Sequence, residues 1–111
     1  MKLKSLILSG IMTIFTVSCF NSSSSEIIVI SREQGSGTRS AFTEITKIAD
    51  SKTDNTYSEA IVQNSTNAVM TNVANDVNSI GYISLGSLND TVKAVKVDGA
   101  KADFKNIKEG K

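Results

Sequence analysis

The sequence predicts an α/β fold, a small sheet of about four strands flanked by helices. Short apolar runs typical of strands alternate along the chain with segments of helical periodicity. The chain has 111 residues, of which 40% are hydrophobic, and it contains no proline and no histidine. This length is enough for one small domain with a modest core, which we assign to residues 26 to 111.

The first strand and the first helix have the clearest patterns. Residues 26 to 31 carry an unbroken apolar run, as expected for a strand that is covered on both faces. Residues 41 to 49 follow with Phe42, Ile45 and Ile48 at helical spacing and polar residues between them. This spacing predicts a helix that points these three side chains into the core.

The remaining elements follow in alternation. An edge strand is predicted at residues 60 to 62, and Ser65 or Thr66 is placed to cap a second helix. That helix would present four apolar residues to the sheet: Val69, Met70, Val73 and Val77. Two further strands are predicted at residues 81 to 84 and 92 to 97, the second with alternating polarity.

The segment from residue 31 to 39, SREQGSGTR, joins the first strand to the first helix and predicts an oxyanion site. Gly35 and Gly37 allow a sharp turn, so the amides around Ser36, Gly37 and Thr38 can converge on one point. The positive end of the helix adds to them there. The hydroxyls of Ser36 and Thr38 supply further donors.

Charged residues flank this loop. Arg32 stands at the strand exit and can offer two parallel donors to an oxyanion. Arg39 either faces the anion or lies in solvent on the first helical turn, and the second position is favoured. Glu33 either orients Arg32 or is simply exposed, and exposure is favoured.

Other interpretations of the loop fit less well. A glycine- and serine-containing connection with an N-cap is often only structural. A nucleotide P-loop requires a lysine after its second glycine, and the dinucleotide fingerprint requires a third glycine or alanine where Ser40 stands. A nucleophile elbow requires Gly-x-Ser-x-Gly, and no histidine is present to activate a serine. Ser36 is therefore predicted to be a donor and not a nucleophile.

The first 25 residues have the order of an export signal. Lys2 and Lys4 precede an apolar run at residues 6 to 17, which is shorter than the roughly 20 residues that span a bilayer. Cys19 comes directly after the small residue Ser18 and resembles a lipoprotein cysteine; a free or buried thiol is the alternative. We predict a lipoprotein signal peptide at residues 1 to 18, lipidation of Cys19, a serine-rich spacer at residues 19 to 25, and a location in the cell envelope.

Composition argues against several classes of function. The net charge is +1 and the basic residues are scattered, so no nucleic-acid surface is predicted. The absence of histidine and the single cysteine argue against a metal site, and no cofactor motif is present. No general base is visible, so an enzyme that acts on phosphoesters is the least favoured hypothesis.

Several segments in the same order carry a family resemblance. SREQGSGTR, the QNST of residues 63 to 66, the IGYISLGSL of residues 80 to 88 and residues 92 to 99 together resemble the second lobe of the phosphate-binding subunit of bacterial phosphate ABC transporters, a type II periplasmic solute-binding protein. The resemblance implies a lobe of that fold, a non-catalytic function and a permease partner. It implies that Arg32, Ser36, Gly37 and Thr38 contact inorganic phosphate, with Gly35 and Arg39 as additional candidates.

The resemblance also implies a second half to the site. Proteins of this class close two lobes on the ligand, and the present sequence corresponds to the second lobe. We therefore expect weak or undetectable phosphate binding by this chain unless a separate polypeptide supplies the first lobe. A surface lipoprotein with an interaction or structural role is the alternative function.

Overall fold

The computed structural model describes residues 26 to 110. The predicted signal peptide of residues 1 to 18, the spacer of residues 19 to 25 and the lipidation of Cys19 lie outside these residues. They remain predictions.

The described residues form a parallel sheet of three strands in the order β2-β1-β3. The strands are β1 (Ile28–Arg32), β2 (Ile61–Gln63) and β3 (Ser79–Ile80). In the register, Ile30 lies opposite Ile61 on one side of β1, and Ile28 lies opposite Ser79 on the other. The central position of β1 explains its nearly continuous apolar sequence.

Helices connect the strands, as parallel pairing requires. The α-helices are α1 (Gly37–Ile45), α2 (Thr66–Asn75) and α3 (Phe104–Lys108), and a 3₁₀ turn lies at Leu85–Ser87. α1 leads from β1 to β2, and α2 leads from β2 to β3. The alternation confirms the predicted α/β class.

The core is centred on the contact between β1 and α2. Ile30 and Val69 are each 1% exposed and Met70 is 7% exposed, and α2 contacts all three strands. The prediction that Val69 and Met70 face the sheet is confirmed. Val77 is 99% exposed, so that part of the prediction was wrong, because the helix has already ended at Asn75.

The first helix begins and ends four residues earlier than the predicted segment, and its inner face is more polar than the sequence predicts. It ends at Ile45, which is 80% exposed, and the chain then turns through a positive φ of 61° at Lys47. The buried residues of α1 are Arg39 and Thr43. The apolar spacing that extends to Ile48 therefore continues past the helix into a loop.

The predicted strands at residues 81 to 84 and 92 to 97 were wrong, and the sheet has three strands instead of about four. The third strand lies slightly earlier, at Ser79–Ile80, and near residue 97 there is only an isolated bridge between Val97 and Ala100. A strand needs a paired neighbour as well as an alternating pattern. Within residues 26 to 110, the segment from 92 to 97 has only the single bridge at Val97.

Much apolar surface is uncovered in the described part of the chain. An open groove of about 710 Å³ runs between the sheet, both longer helices and the segment that follows β3. Exposed large apolar side chains include Ile61, Val62, Ile80, Val95, Val97, Phe104 and Ile107. No helix within residues 26 to 110 has the length and apolar character needed to cross a membrane.

Candidate functional site

Two helix N-termini meet at the carboxyl edge of the sheet. β1 and β2 are parallel neighbours, so both end at this edge, and each is followed by a helix. This is the edge at which open α/β sheets bind ligands. A hydrogen bond joins the two strand-to-helix junctions: Arg32 Nη1, at the end of β1, donates to Thr66 Oγ1, at the start of α2, at 3.2 Å.

A tight turn shapes the loop before α1. The Ser36 N–H donates to the Glu33 carbonyl oxygen at 3.2 Å, and Gly35 has a φ of 88°. This positive φ at the third position of the turn is readily adopted by glycine. The Ser36 amide is therefore used inside the turn, and the sequence-based expectation that it points at the anion was wrong.

Ser36 is also the N-cap of α1. Its Oγ accepts from the Arg39 backbone N–H at 3.2 Å, and the residue is 6% exposed. The hydroxyl hydrogen is the donor that Ser36 can still offer to a ligand. The capping alternative and the donor hypothesis are thus compatible, because they use different atoms of one hydroxyl.

Gly37 and Thr38 are the first two residues of α1. The first amides of an α-helix have no acceptor within the helix, and they carry its positive end. Thr38 Oγ1 hydrogen bonds with Ser84 Oγ at 3.2 Å, so the segment after β3 also reaches this edge. The Gly37 and Thr38 amides are therefore the backbone donors of the predicted oxyanion site that can still bind an anion.

Arg32 is held by both sides of the site. Its Nε donates to Glu33 Oε2 at 2.9 Å and its Nη2 donates to Oε1 at 3.1 Å, while Nη1 binds Thr66. The hydrogen bond from Arg32 lowers the pKa of Glu33, and the same bond raises the pKa of Arg32. The expectation that Glu33 is simply exposed was wrong, because its carboxylate is paired with Arg32.

Arg39 lies inside the structure, and the solvent position favoured for it was wrong. The residue is 9% exposed. Its Nη1 donates to the Arg32 carbonyl oxygen at 2.7 Å and to Ser31 Oγ at 3.3 Å, and its Nη2 donates to Asp54 Oδ2 at 2.8 Å. Arg39 therefore supports the end of β1 and does not line the open edge.

Asp54 completes this support. It accepts from the Thr56 backbone N–H at 2.9 Å as well as from Arg39. The Thr56 side chain and the Arg39 guanidinium hold the pKa of Asp54 far below its ordinary range. Asp54 stands in a polar, irregular segment, and no sequence pattern assigns it to Arg39.

Tyr82, like Asp54, is a residue of the site that the sequence did not predict. Its hydroxyl accepts from the Arg32 backbone N–H at 3.1 Å and hydrogen bonds with Ser31 Oγ at 3.0 Å. Its ring stacks on Phe42, with ring centroids 4.0 Å apart and an interplanar angle of 6°. Phe42 thus packs inward, and the pair joins the end of β1 to α1.

The junction before α2 confirms one prediction. Ser65 is the N-cap, and its Oγ accepts from the Ala68 N–H at 3.1 Å. Thr66 follows as the first residue of the helix and accepts from Arg32. In the described part of the chain, no group of three or more histidine, cysteine, aspartate or glutamate side chains is arranged to hold a metal ion.

Sequence comparison links the chain to named proteins. No protein-family model matches it. The phosphate-binding protein PstS 2 of Streptococcus pneumoniae serotype 4 is 54% identical over 93 residues, which cover 80% of this chain and 32% of that protein. The phosphate-binding protein PstS 2 of Streptococcus agalactiae serotype V is 46% identical over 115 residues, covering 95% of this chain and 39% of that protein.

Solved structures give the same result. A phosphate-binding protein of a phosphate ABC transporter from S. pneumoniae TIGR4 superposes with a TM-score of 0.73 and 52% identity, over 76% of this chain and 34% of that one. A putative phosphate ABC transporter substrate-binding protein with bound phosphate, from Clostridium perfringens, gives a TM-score of 0.68 and 37% identity, over 75% and 33% of the two chains. The chain matches one lobe of the phosphate-binding proteins of phosphate ABC transporters.

The match to these phosphate-binding proteins is partial. The chain spans about a third of the length of the curated relatives it matches. The matched part contains a parallel sheet with helices that start at its carboxyl edge, which confirms the predicted fold of a single binding-protein lobe.

Proposed function

We propose that this chain binds inorganic phosphate reversibly, as part of the substrate-capture component of a phosphate ABC import system. The observation that carries the proposal is the carboxyl edge of β1 and β2, where both strands lead into helix N-termini and the Arg32 guanidinium contacts Thr66 at the start of α2. A tetrahedral oxyanion fits such a set of N–H donors and positive helix ends. The names of the relatives support the choice of phosphate.

Each residue of the proposed site has a distinct function. Arg32 supplies charge and parallel donors, Gly37 and Thr38 supply backbone N–H groups, and Ser36 and Thr38 supply hydroxyls. Gly35 acts through the turn that it permits. Capture is non-catalytic, because these groups donate hydrogen bonds and none of them is placed to activate a nucleophile.

The uncovered surface supports a partner for this lobe. The chain spans about a third of its relatives, and its apolar groove of about 710 Å³ is open. We expect a separate polypeptide to supply the other lobe, enclosing the anion and strengthening its hydrogen bonds by excluding water. The phosphate permease is then the partner of the assembled binding protein.

The proposal includes a location in the cell envelope, with the chain anchored to a membrane by lipid. A signal peptide at residues 1 to 18 would export the chain, and lipidation of Cys19, with palmitate among the acyl groups, would hold it on the outer side of a membrane. Metabolic labelling with palmitate, comparing wild type with Cys19→Ser, tests this. Label that persists in the variant would contradict the anchor.

The alternative function is a surface lipoprotein with an interaction or structural role that has lost ligand binding. The open apolar groove favours it, because such a surface also suits a protein partner. The two functions differ in one measurable property: only the phosphate-binding function predicts that the chain binds phosphate through Arg32.

Isothermal titration of the purified chain with phosphate separates these functions. We expect weak binding that Arg32→Ala abolishes and that Lys93→Ala, an exposed control outside the site, leaves unchanged. Binding that survives Arg32→Ala would contradict the proposed site. A submicromolar affinity for the isolated chain would contradict the need for a second lobe.

A further inference from the structure

The Glu33 carboxylate already occupies one edge of the Arg32 guanidinium. Its two oxygens accept from Nε and Nη2, at 2.9 and 3.1 Å. This paired geometry is the one in which guanidinium groups bind carboxylates and phosphates most strongly. In the described structure, therefore, a side chain of the same protein stands where an oxyanion of the medium would bind to that edge.

The pair also changes the charge of the site. A guanidinium bound to a carboxylate is neutral as a unit, so an incoming anion meets less positive potential than Arg32 alone would give. An anion on the remaining edge of the guanidinium would lie near the Glu33 carboxylate and be repelled by it. The effect is screened in part, because the Glu33 side chain is 36% exposed.

Glu33 is free to leave while Arg32 stays. Both side-chain hydrogen bonds described between Glu33 and another residue go to Arg32. Arg32 has additional support, because its Nη1 binds Thr66 and its backbone is held by Tyr82 and Arg39. Rotation of the glutamate into solvent would therefore expose the guanidinium edge without moving the arginine.

We propose that Glu33 is a specificity-determining residue, a resident anion that competes with phosphate for Arg32. The inference rests on the proposed function. The affinity for phosphate then depends on the difference in free energy between the Arg32–phosphate pair and the Arg32–Glu33 pair. An anion displaces the carboxylate only if its hydrogen bonds with the helix amides supply this difference.

The test compares Glu33→Gln with wild type by titration with inorganic phosphate. Glutamine keeps the size of the side chain and removes the charge, so we expect phosphate to bind about threefold to tenfold more tightly. Glu33→Ala should change affinity in the same direction and guards against a new hydrogen bond from the amide. Glu44→Gln is the matched control, because it removes one negative charge from an exposed position on α1.

The outcomes separate this inference from the proposed function. Tighter binding by Glu33→Gln that Arg32→Ala cancels supports both, including the case in which wild type is silent and the variant binds. Unchanged or weaker binding by both Glu33 variants, with wild type binding through Arg32, overturns the competition and leaves phosphate capture standing. If neither wild type nor the variants bind phosphate, the proposed function fails and the competition fails with it.

Discussion

The Arg39 guanidinium donates a 2.7 Å hydrogen bond to the backbone carbonyl oxygen of Arg32. A residue on the first turn of α1 therefore fixes the last residue of β1. The Tyr82 hydroxyl accepts from the backbone N–H of the same residue, at 3.1 Å. The backbone of Arg32, the proposed phosphate-binding residue, is thus held by one side chain seven residues away and by another 50 residues away.

Replacing Arg39 should destabilise the fold. Arg39→Ala removes one donor to the Arg32 carbonyl oxygen and one donor to Asp54, and we expect it to lower the free energy of unfolding by about 2 to 3 kcal/mol. Urea denaturation followed by circular dichroism measures this. Lys52→Ala, at an exposed position near the same surface, is the control. A loss equal to that of the control would show that the guanidinium does not support the site.

Acid should weaken the fold in part through Asp54. The folded state lowers the pKa of this carboxyl below its unfolded value of about 4, so its contribution is present above that pH and is lost as the pH falls towards the folded value. Asp54→Asn should be less stable than wild type at pH 7 and should approach it in acid. Urea midpoints between pH 7 and pH 3 measure the difference.

The Asp54→Asn variant should still lose some stability as the pH falls. The folded state also lowers the pKa of Asp50, chiefly through the Lys52 backbone N–H, and the pKa of Glu33 through Arg32. Asp90→Asn, at an exposed position, is the control and should follow wild type. A constant difference between Asp54→Asn and wild type across the pH range would contradict the assignment.

The Tyr82 hydroxyl should contribute separately from its ring. Tyr82→Phe keeps the stacking on Phe42 but leaves the Arg32 N–H and the buried Ser31 hydroxyl without this partner. We expect a loss of about 1 kcal/mol in the free energy of unfolding. Tyr57→Phe is the matched control, because Tyr57 is 50% exposed. Equal stability of the two variants would refute the proposed support.

Gly81 should not tolerate a side chain. A Cβ at this position would lie 2.8 Å from Val69 Cγ1 and 3.4 Å from Ile30 Cβ, which both belong to buried core residues. Gly81→Ala should therefore cost about 1 to 3 kcal/mol. Gly86→Ala is the control, because its Cβ would meet no atom within 4 Å. Thermal unfolding of both variants tests the contrast, and equal midpoints would show that the core yields at Gly81.

Local pattern was sufficient for part of this molecule. The apolar run of β1, the cap of α2 at Ser65 and the turn at Gly35 depend on neighbours a few residues away, so their side-chain types determine them. The same holds for the position of the Gly37 and Thr38 amides, since they follow from where α1 begins. These features place the candidate oxyanion site.

Only the tertiary structure decided which charges face that site. Arg39 and Arg32 are both arginines beside one loop. Arg39 pairs inside the structure with Asp54, 15 residues away, whereas Arg32 donates to Thr66, 34 residues away. The missing strand at residues 92 to 97 and the placement of Tyr82 were decided in the same way. Pairing and burial depend on partners far along the chain, whereas periodicity and turn chemistry report only on near neighbours.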